Sequence, residues 1–246
     1  MQKINNDIYN LYGDRWYTAF DDPIALLRAE SKTKVPWILE KLKQKNLLAV
    51  STQVLDIGCG AGFLSNELSK RGLTVTGVDI SEESLGVARR FDETKSVSYK
   101  IADAYELPFP DAQFDVVTAM DFLEHVENPA KVIKEFSRVI KPGGIFIFHT
   151  FNRNPIAHFV VIKLVEWLVK NTPKNMHIIR LFIKPSELKN YCEQSGLTVD
   201  QMTGIKPVFS TIPLGNIFSG IVPSTLKFEL TESLMLSYMG SAIKKN

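Results

Sequence analysis

From residue 53 onward the chain alternates short apolar runs with stretches of helical period. Residues 53–57 (QVLDI) read as a buried strand, and glycines follow at once. Over residues 63–71, Phe63, Leu64 and Leu68 recur at helical spacing, and Gly72 suits the end of that helix. The β-branched stretch 74–78 (TVTGV) predicts a second strand. Ser81 is a good helix cap, and Glu82 and Glu83 suit the first turn that follows. Further strands are predicted at 97–101, 114–119 (FDVVTA) and 145–150 (IFIFHT). Between the last two, Asn128-Pro129 opens a helix that runs to about Ile140 and is closed by Lys141-Pro142-Gly143-Gly144. Such alternation predicts βαβ units, a parallel sheet and right-handed crossovers. Ligands of such sheets sit at the carboxyl ends of the strands, so the residues there are the ones to inspect.

The flanks follow other patterns. The segment to about residue 50 reads as helical and partly amphipathic. After Thr150 come an apolar helix, a helix over 185–196, and antiparallel strands near 197–203 and 234–243, read as a cap over the strand ends and the far edge of the sheet. The apolar helix, 155–171 (PIAHFVVIKLVEWLVKN), has Pro155 early and Pro173 just past its end. On a wheel of 100° per residue, Lys163, Glu166 and Lys170 fall within about 60° of one another. His158 aside, the rest is apolar, a wider apolar arc than a core-facing surface helix needs. Three uses fit that excess: core packing, the wall of a pocket for a greasy substrate, or contact with a bilayer interface.

Composition narrows the choices. The 246 residues suit one large domain, or one domain with an elaborated cap. Hydrophobic residues are 45% and charged residues 23%, ordinary globular usage. Lys and Arg number 29 against 27 Asp and Glu, a net +2 that gives no footprint for nucleic acid. Cys59 and Cys192 make neither a disulfide framework nor a CxxC metal motif. The polar start, Met1-Gln2-Lys3-Ile4-Asn5-Asn6-Asp7, lacks the apolar core of a signal peptide, and no apolar run is long enough to span a bilayer. A reducing, cytoplasmic setting is expected.

The most informative heptapeptide is Asp56-Ile57-Gly58-Cys59-Gly60-Ala61-Gly62. Glycines spaced by two between strand and helix let the backbone turn sharply and approach a ligand closely. A dinucleotide fingerprint counted from Gly58 and Gly60 would need its last glycine at Phe63, which disfavours a dehydrogenase. Asp56 would repel a pyrophosphate but suits a cationic ligand, such as the ammonium of a methionine moiety. Asp79, directly after the second strand, can accept both hydroxyls of a ribose. Asp103-Ala104, after the third, can meet an adenine amino group. The bland alternative is a tight turn flanked by solvated acids. Asp115 is expected only to support the end of the sheet.

Met120-Asp121-Phe122-Leu123-Glu124-His125 follows the fourth strand. If the segment is helical, Asp121, Glu124 and His125, at i, i+3 and i+4, share one face. Two carboxylates and an imidazole make a divalent-metal site with open positions, able to bind adjacent phenolic oxygens and lower a phenol pKa. Without a metal, His125 is a general base steered by Glu124. A capped short helix with no chemistry is the third reading.

Acid, glycine loop, acid and acid at the ends of successive strands resemble the class I S-adenosylmethionine (SAM)-dependent methyltransferases. Within them the chain is similar to the ubiquinone-biosynthesis O-methyltransferases. The matching stretches are Arg15-Trp16-Tyr17, VLDIGCGAGFLS (54–65), VTGVDIS (75–81), EHV (124–126), KPGG (141–144), FNRN (151–154), FIKPSEL (182–188) and LSYMG (236–240). The resemblance implies a seven-stranded, mostly parallel, Rossmann-like α/β sheet with helices on both faces and a helical cap. It implies an N-terminal helical cap segment over 1–50 and a methyltransferase domain over 51–246, with an apolar insertion at about 153–182. It implies methyl transfer from SAM to a phenolic or catechol hydroxyl of a hydrophobic, ubiquinone-precursor-like substrate, leaving S-adenosylhomocysteine, with Mg or another divalent cation. SAM would be held by Asp56, Gly58, Cys59, Gly60, Gly62, Asp79, Ile80, Asp103, Ala104 and Met120. Asp121, Glu124 and His125 would be catalytic and bind the metal, with His177 and Asn152 on the substrate side. The helix over 155–171 would touch membrane lipid, giving a peripheral attachment.

The chain also departs from that family. The first acid of its E-x-x-E-H pattern is Asp121, one methylene shorter. The I-N-P-x-R segment ahead of the glycine loop is missing, and Ser31-Lys32-Thr33-Lys34 stands there. Lys34 would then face the cofactor carboxylate as a point charge. Met176-His177-Ile178-Ile179 lacks the usual acid–aromatic pair after the histidine. These departures leave the class alone and bear on the acceptor. A class I methyltransferase with another small-molecule acceptor and a non-catalytic SAM-binding protein are the alternatives.

Overall fold

The structure, a computed structural model, describes residues 4–216 and 218–245. Met1, Gln2 and Lys3, part of the polar start noted above, lie outside the described residues. A 3-10 turn (Asn6–Leu11) leads to helix α1 (Arg15–Thr18) and the long helix α2 (Ile24–Gln44). The alternating region follows as β1 (Gln53–Ile57), α3 (Phe63–Lys70), β2 (Thr74–Asp79), α4 (Glu82–Phe91), β3 (Ser98–Ile101), β4 (Phe114–Met120), α5 (Pro129–Val139) and β5 (Ile140–Phe151). As expected, Ser81 caps α4 by accepting from the Ser84 amide, and Asn128 caps α5 by accepting from the Lys131 amide.

Among the described residues the sheet has eight strands, in the order β3-β2-β1-β4-β5-β8-β6-β7. The stretch from β3 to β5 is parallel. Beyond it lie β8 (Ser237–Lys244), β6 (Leu197–Val208) and β7 (Lys227–Thr231), each antiparallel to its neighbour. The expected count of seven falls short by β7. Its sequence, KFELT, has two charged residues in five and is mostly solvated, with the weak signal of an edge strand. The Lys-Pro-Gly-Gly stretch also departs from expectation. It does not close a helix ahead of a separate strand but forms a bulge inside β5, where the register against β4 jumps between Phe114 and Val116.

Strands buried on both faces explain the continuous apolar runs. Leu55, Ile57, Val117, Phe146 and Phe148 face one core layer with α5 residues and Leu188 of α8 (Pro185–Gln194). Their neighbours Val54, Val116, Ile145 and Ile147 face the other, packed on Ile38 and Leu42 of α2 and Leu68 of α3. The N-terminal helices therefore share the sheet's core. Asp115 does support the sheet end, accepting from the Gln53 amide at 2.8 Å and from Lys141 Nζ at 2.7 Å.

The cap helix differs from an unbroken α-helix. It begins as α6 (Pro155–Ala157), runs through a π-helical stretch at His158–Leu164 and ends as α7 (Val165–Leu168), with Val169 already extended. Lys163 and Glu166 do pair, at 2.8 Å, but Lys170 lies past the helix end.

Phe146 is completely buried between Phe136 and Phe148. Phe146→Ala is expected to lower the unfolding free energy by about 3–5 kcal/mol, read from urea denaturation.

Candidate active site

The glycine loop is built as the sequence requires. Gly58 and Gly62 have φ of +65° and +81°, a region costly for other residues. A Cβ at Gly58 would stand 2.3 Å from the Phe122 ring, and one at Gly62 would stand 2.3 Å from the Tyr99 hydroxyl. Gly60 lies under the edge of Trp16, 3.1 Å from where its Cβ would be. The N-terminal segment therefore closes over the loop.

A cavity of about 690 Å³ opens at the carboxyl ends of the parallel strands. Asp56, Gly58, Cys59, Gly60, Asp79 and Ile80 line one side, and Met120, Asp121, His125, His177 and Lys34 line the next. Asp56 accepts from Ser65 Oγ at 2.6 Å and Thr118 Oγ1 at 2.7 Å. Burial pushes its carboxyl up to about 6, although both hydroxyls oppose the rise. Asp79 accepts from the amides of Gly60 and Ser81, each at 2.9 Å, which ties the loop to the end of β2. Burial raises its pKa as well. Two buried carboxylates whose ionisation is opposed by burial and, for Asp56, by the charge of Asp79 are suited to a cationic ligand, whose charge would offset that cost.

Several expected positions fall elsewhere. Gly62 is the N-cap of α3 and lies off the cavity lining. Asp103 and Ala104 also lie off it, and Asp103 accepts from the Tyr105 amide at 2.8 Å. Asn152 is not at the cavity: its side chain donates to the Leu234 carbonyl at 2.8 Å and anchors the chain before β8.

The acid–acid–histidine segment departs most from expectation. It is not an α-helix. Asp121 has φ +54°, and only Leu123–His125 form a 3-10 turn. The left-handed residue turns Asp121 away from the other two. Both its carboxylate oxygens accept from Lys34 Nζ, at 2.7 and 2.8 Å, and Oδ1 lies 2.7 Å from His149 Nδ1. Lys34 also donates to Glu30 at 2.6 Å. Burial disfavours charge on both partners, but the pair outweighs it: Lys34 and His149 hold Asp121 well below the usual carboxylate range, and Asp121 and Glu30 keep Lys34 raised. The expected contact of Lys34 with a cofactor carboxylate gives way to this cluster, because its ammonium is already shared among internal acceptors.

Glu124 is fully buried and bonds Thr150 Oγ1 at 2.9 Å, while its Oε1 has no hydrogen-bond partner among the described residues. Burial, then the charge of Asp121, pushes its carboxyl up to about 8, so at neutral pH it holds its proton. His125 meets neither acid by hydrogen bond. Its Nδ1 lies 3.1 Å from Asn6 Oδ1 and its Nε2 lies 3.3 Å from the Tyr9 hydroxyl. Burial and the nearby His177 press its pKa down to about 3, and burial takes His177 to about 4. Both imidazoles are neutral.

The three expected metal ligands are therefore not brought together, because Asp121 pairs with Lys34. Glu124, His125 and His177 do bring one ligand atom each within 4.8 Å, as do Glu30, Asp121 and His149. In the first group Glu124 Oε1 is buried with no partner among the described residues, an orphaned acceptor of the kind a cation would satisfy. In the second, the Lys34 ammonium already supplies the positive charge.

Sequence reasoning missed Asn6, Tyr9, Glu30 and His149. Tyr9 lies 116 residues from His125 in the chain, and no motif spacing links them. Glu30 and Lys34 at i, i+4 were a readable pair, but not one marked as buried.

The protein's relatives agree with this geometry. Residues 55–148 match the family model described as a methyltransferase domain. The chain is 38% identical to a ubiquinone biosynthesis O-methyltransferase of Aromatoleum aromaticum over 188 residues, 74% of this chain and 78% of that one. It is 42% identical to one of Pseudomonas fluorescens over 176 residues, 70% and 73% of the two chains. A solved magnesium protoporphyrin IX methyltransferase from Synechocystis, with bound S-adenosylhomocysteine, shares the fold at TM-score 0.61 and 18% identity, over 88% of this chain and 84% of that one. Fold, glycine loop and strand-end acids define a class I SAM-dependent methyltransferase. The chain belongs to the ubiquinone biosynthesis O-methyltransferase family.

The Glu124 carboxyl sets a pH dependence of stability. Its folded pKa of about 8 lies above its ordinary 4.5, so the native state binds more protons across that window and stability falls as pH rises through it. Glu124→Gln removes this term. Its melting temperature relative to the unsubstituted protein is expected to rise between pH 5 and pH 8.5, read by calorimetric scans at both; a constant difference would contradict the assignment.

Proposed function

We propose that this enzyme transfers a methyl group from SAM to a phenolic hydroxyl of a hydrophobic, ubiquinone-precursor-like acceptor. The observation that carries the reading is the division of the cavity. Asp56, Asp79 and the glycine loop form its polar end. Away from them the wall is apolar: Leu27, Val161, Leu164 and Leu168 on one side, and Ile205, Val222 and Phe228 on the other. The cap helix thus serves as a pocket wall, and β7 and the chain before it close the far side. A cation fits the acid end and an apolar tail fits the other.

SAM, when bound, supplies an electrophilic methyl on a sulfonium. Asp79 stands where ribose hydroxyls can be accepted, and Asp56 faces the methionine ammonium. Gly58, Gly60 and Cys59 let the backbone come close. Ile80, 73% exposed at the cavity mouth, offers an apolar flank to the nucleoside. Met120 ends β4 beside the acceptor's place. His125 and His177 stand at the acceptor end with ring centroids 5.3 Å apart, and with Glu124 they would hold a divalent cation that lowers the phenol's pKa. Apolar walls hold the acceptor in line and exclude water, which supplies much of the acceleration in a displacement between two bound reactants.

Methyl transfer to a catechol carrying a prenyl chain and to the bare catechol, followed by S-adenosylhomocysteine release, tests the reading. Each buried methylene contributes about 0.8 kcal/mol. A KM at least about tenfold lower for the tailed acceptor is therefore expected, and Leu168→Asp should remove the difference. Equal KM values for both acceptors would sink the assignment.

No helix of the described residues is long and apolar enough to cross a membrane. Peripheral contact has support from another face of the cap: Ile156, Phe159 and Trp167 are 49%, 50% and 67% exposed, with Phe159 and Trp167 in edge contact. These residues, and not the cavity-lining Val161, Leu164 and Leu168, are the ones to change. Flotation with anionic liposomes is expected for the native chain and lost when Ile156, Phe159 and Trp167 become Glu. Equal flotation of both would remove lipid contact from the proposal.

A further inference from the structure

The cavity follows one edge of the sheet. β6 and β5 are both antiparallel to β8, so β6 ends at the same edge as the parallel strands, and β8 and β7 begin there. Each strand from β2 to β7 gives that edge a residue that lines the cavity: in strand order, Asp79, Asp56, Met120, Phe151, Ser237, Ile205 and Phe228. The chemistry changes along the row. Two carboxylates open it and apolar side chains fill the rest. Ser237 is no exception for a ligand, because its hydroxyl donates to the Ile205 carbonyl at 3.2 Å. Five strand spacings of about 4.8 Å separate β2 from β6, so the row runs about 24 Å.

Both ends of the row reach the surface. At the β2 end the cavity lining includes the exposed Asp7, Asn10 and Ile80. At the β6 end it includes Phe209 and Ile221, 54% and 45% exposed. Between the two, Phe151, Ser237, Ile205 and Val222 are buried. The chain between β6 and β7 thus walls the far side and leaves an opening at its surface. That opening has a fixed frame. The Val222 amide donates to the Phe20 carbonyl at 2.7 Å, the Lys170 amide to the Gly220 carbonyl at 3.0 Å, and the Lys227 amide to Thr211 Oγ1 at 3.1 Å.

We propose that the cavity is a channel with two mouths: SAM enters at Ile80, and the acceptor enters between Phe209 and Ile221, where its tail stays threaded to the outside during methyl transfer. The inference rests on the proposed reading of a tailed phenolic acceptor and adds its route. Size favours it. A volume of about 690 Å³ lies within the roughly 300–1,000 Å³ that a single drug-sized ligand fills, yet this cavity takes SAM and an acceptor together. With the acceptor's ring at Met120 and His177, two strand spacings, about 10 Å, remain between β5 and the end of β6. A longer chain has to leave the protein, and the opening it meets is lined by apolar side chains. A consequence follows for binding order. Substrates that use opposite mouths do not block each other, so S-adenosylhomocysteine can leave while the methylated product is still threaded. With one shared mouth, a bound acceptor would shut SAM out.

The test is kinetic first. The full chain is saturated with a catechol carrying a prenyl chain, and SAM is then added in a stopped-flow instrument. The signal is tryptophan fluorescence, because Trp16 lines the cavity. SAM is expected to associate within about threefold of its rate on the free protein. Association that waits on release of the acceptor overturns the proposal. Photo-crosslinking then locates the tail. Chains ending in a diazirine just beyond Ile205 should label Phe209, Ile221 or their neighbours. Labelling at Asn10 or Ile80 instead puts the tail in the cofactor's mouth and overturns the proposal too. Phe209→Trp combined with Ile221→Trp narrows the second mouth. It should lower kcat/KM for a long-tailed catechol about tenfold relative to one with a single prenyl unit; an unchanged ratio counts against the route. Both residues are exposed, so the variant should fold, which its melting temperature checks. SAM association and photo-labelling need no turnover. A protein that passes both and methylates no tailed catechol would instead sink the reading of the acceptor, a separate failure.

Discussion

A single buried ammonium holds the catalytic end of this molecule together. Lys34, 3% exposed, binds Asp121 and Glu30 and lies 3.1 Å from His149 Nδ1. Those partners come from α2, the chain after β4, and β5. One cation therefore joins the N-terminal helix to the two strand ends beside the acceptor. Burying a charge is costly, and removing one partner of such a pair leaves the other uncompensated. The cluster also explains why Asp121 tolerates a left-handed backbone. Two bonds from Lys34 and one contact with His149 outweigh the strain of φ +54°.

The left-handed turn has a chemical consequence. It withdraws one acid from the segment that follows β4 and leaves Glu124 and His125 on their own. Glu124, buried and next to the charge of Asp121, keeps its proton; His125, buried beside His177, stays neutral. Around His125 the cavity's charge is thus confined to the cluster of Lys34, Asp121 and Glu30. At the other end, Asp56 and Asp79 supply negative charge to a cationic ligand. In the proposed reading the same walls separate a positively charged electrophile from an apolar acceptor, and the cap helix completes both the enclosure and the apolar half.

Much of this was legible in the residues. Glycines between a buried run and a helical period require a tight turn with φ above zero, and Gly58 and Gly62 adopt it. Asp79 at the end of β2 sits at the cavity as its position predicts. Such features are local: a backbone conformation, a cap or a strand end is fixed by residues next to one another. Asp103 shows the limit of that logic, since a position at a strand end does not dictate whether the side chain turns to the cavity or back to its own backbone.

The sequence by itself determined the parallel core, the glycine loop, the strand-end acids and the apolar character of the cap, because periodicity and turn chemistry encode them within a few residues. Only the tertiary structure decided which charges pair. The helical spacing of Asp121, Glu124 and His125 grouped them, yet burial and Lys34 took Asp121 one way, Thr150 took Glu124 another, and Asn6 and Tyr9 took His125. A buried charge or polar atom bonds to whatever partner the fold brings within about 3 Å, and in this protein those partners lie tens of residues or more away along the chain.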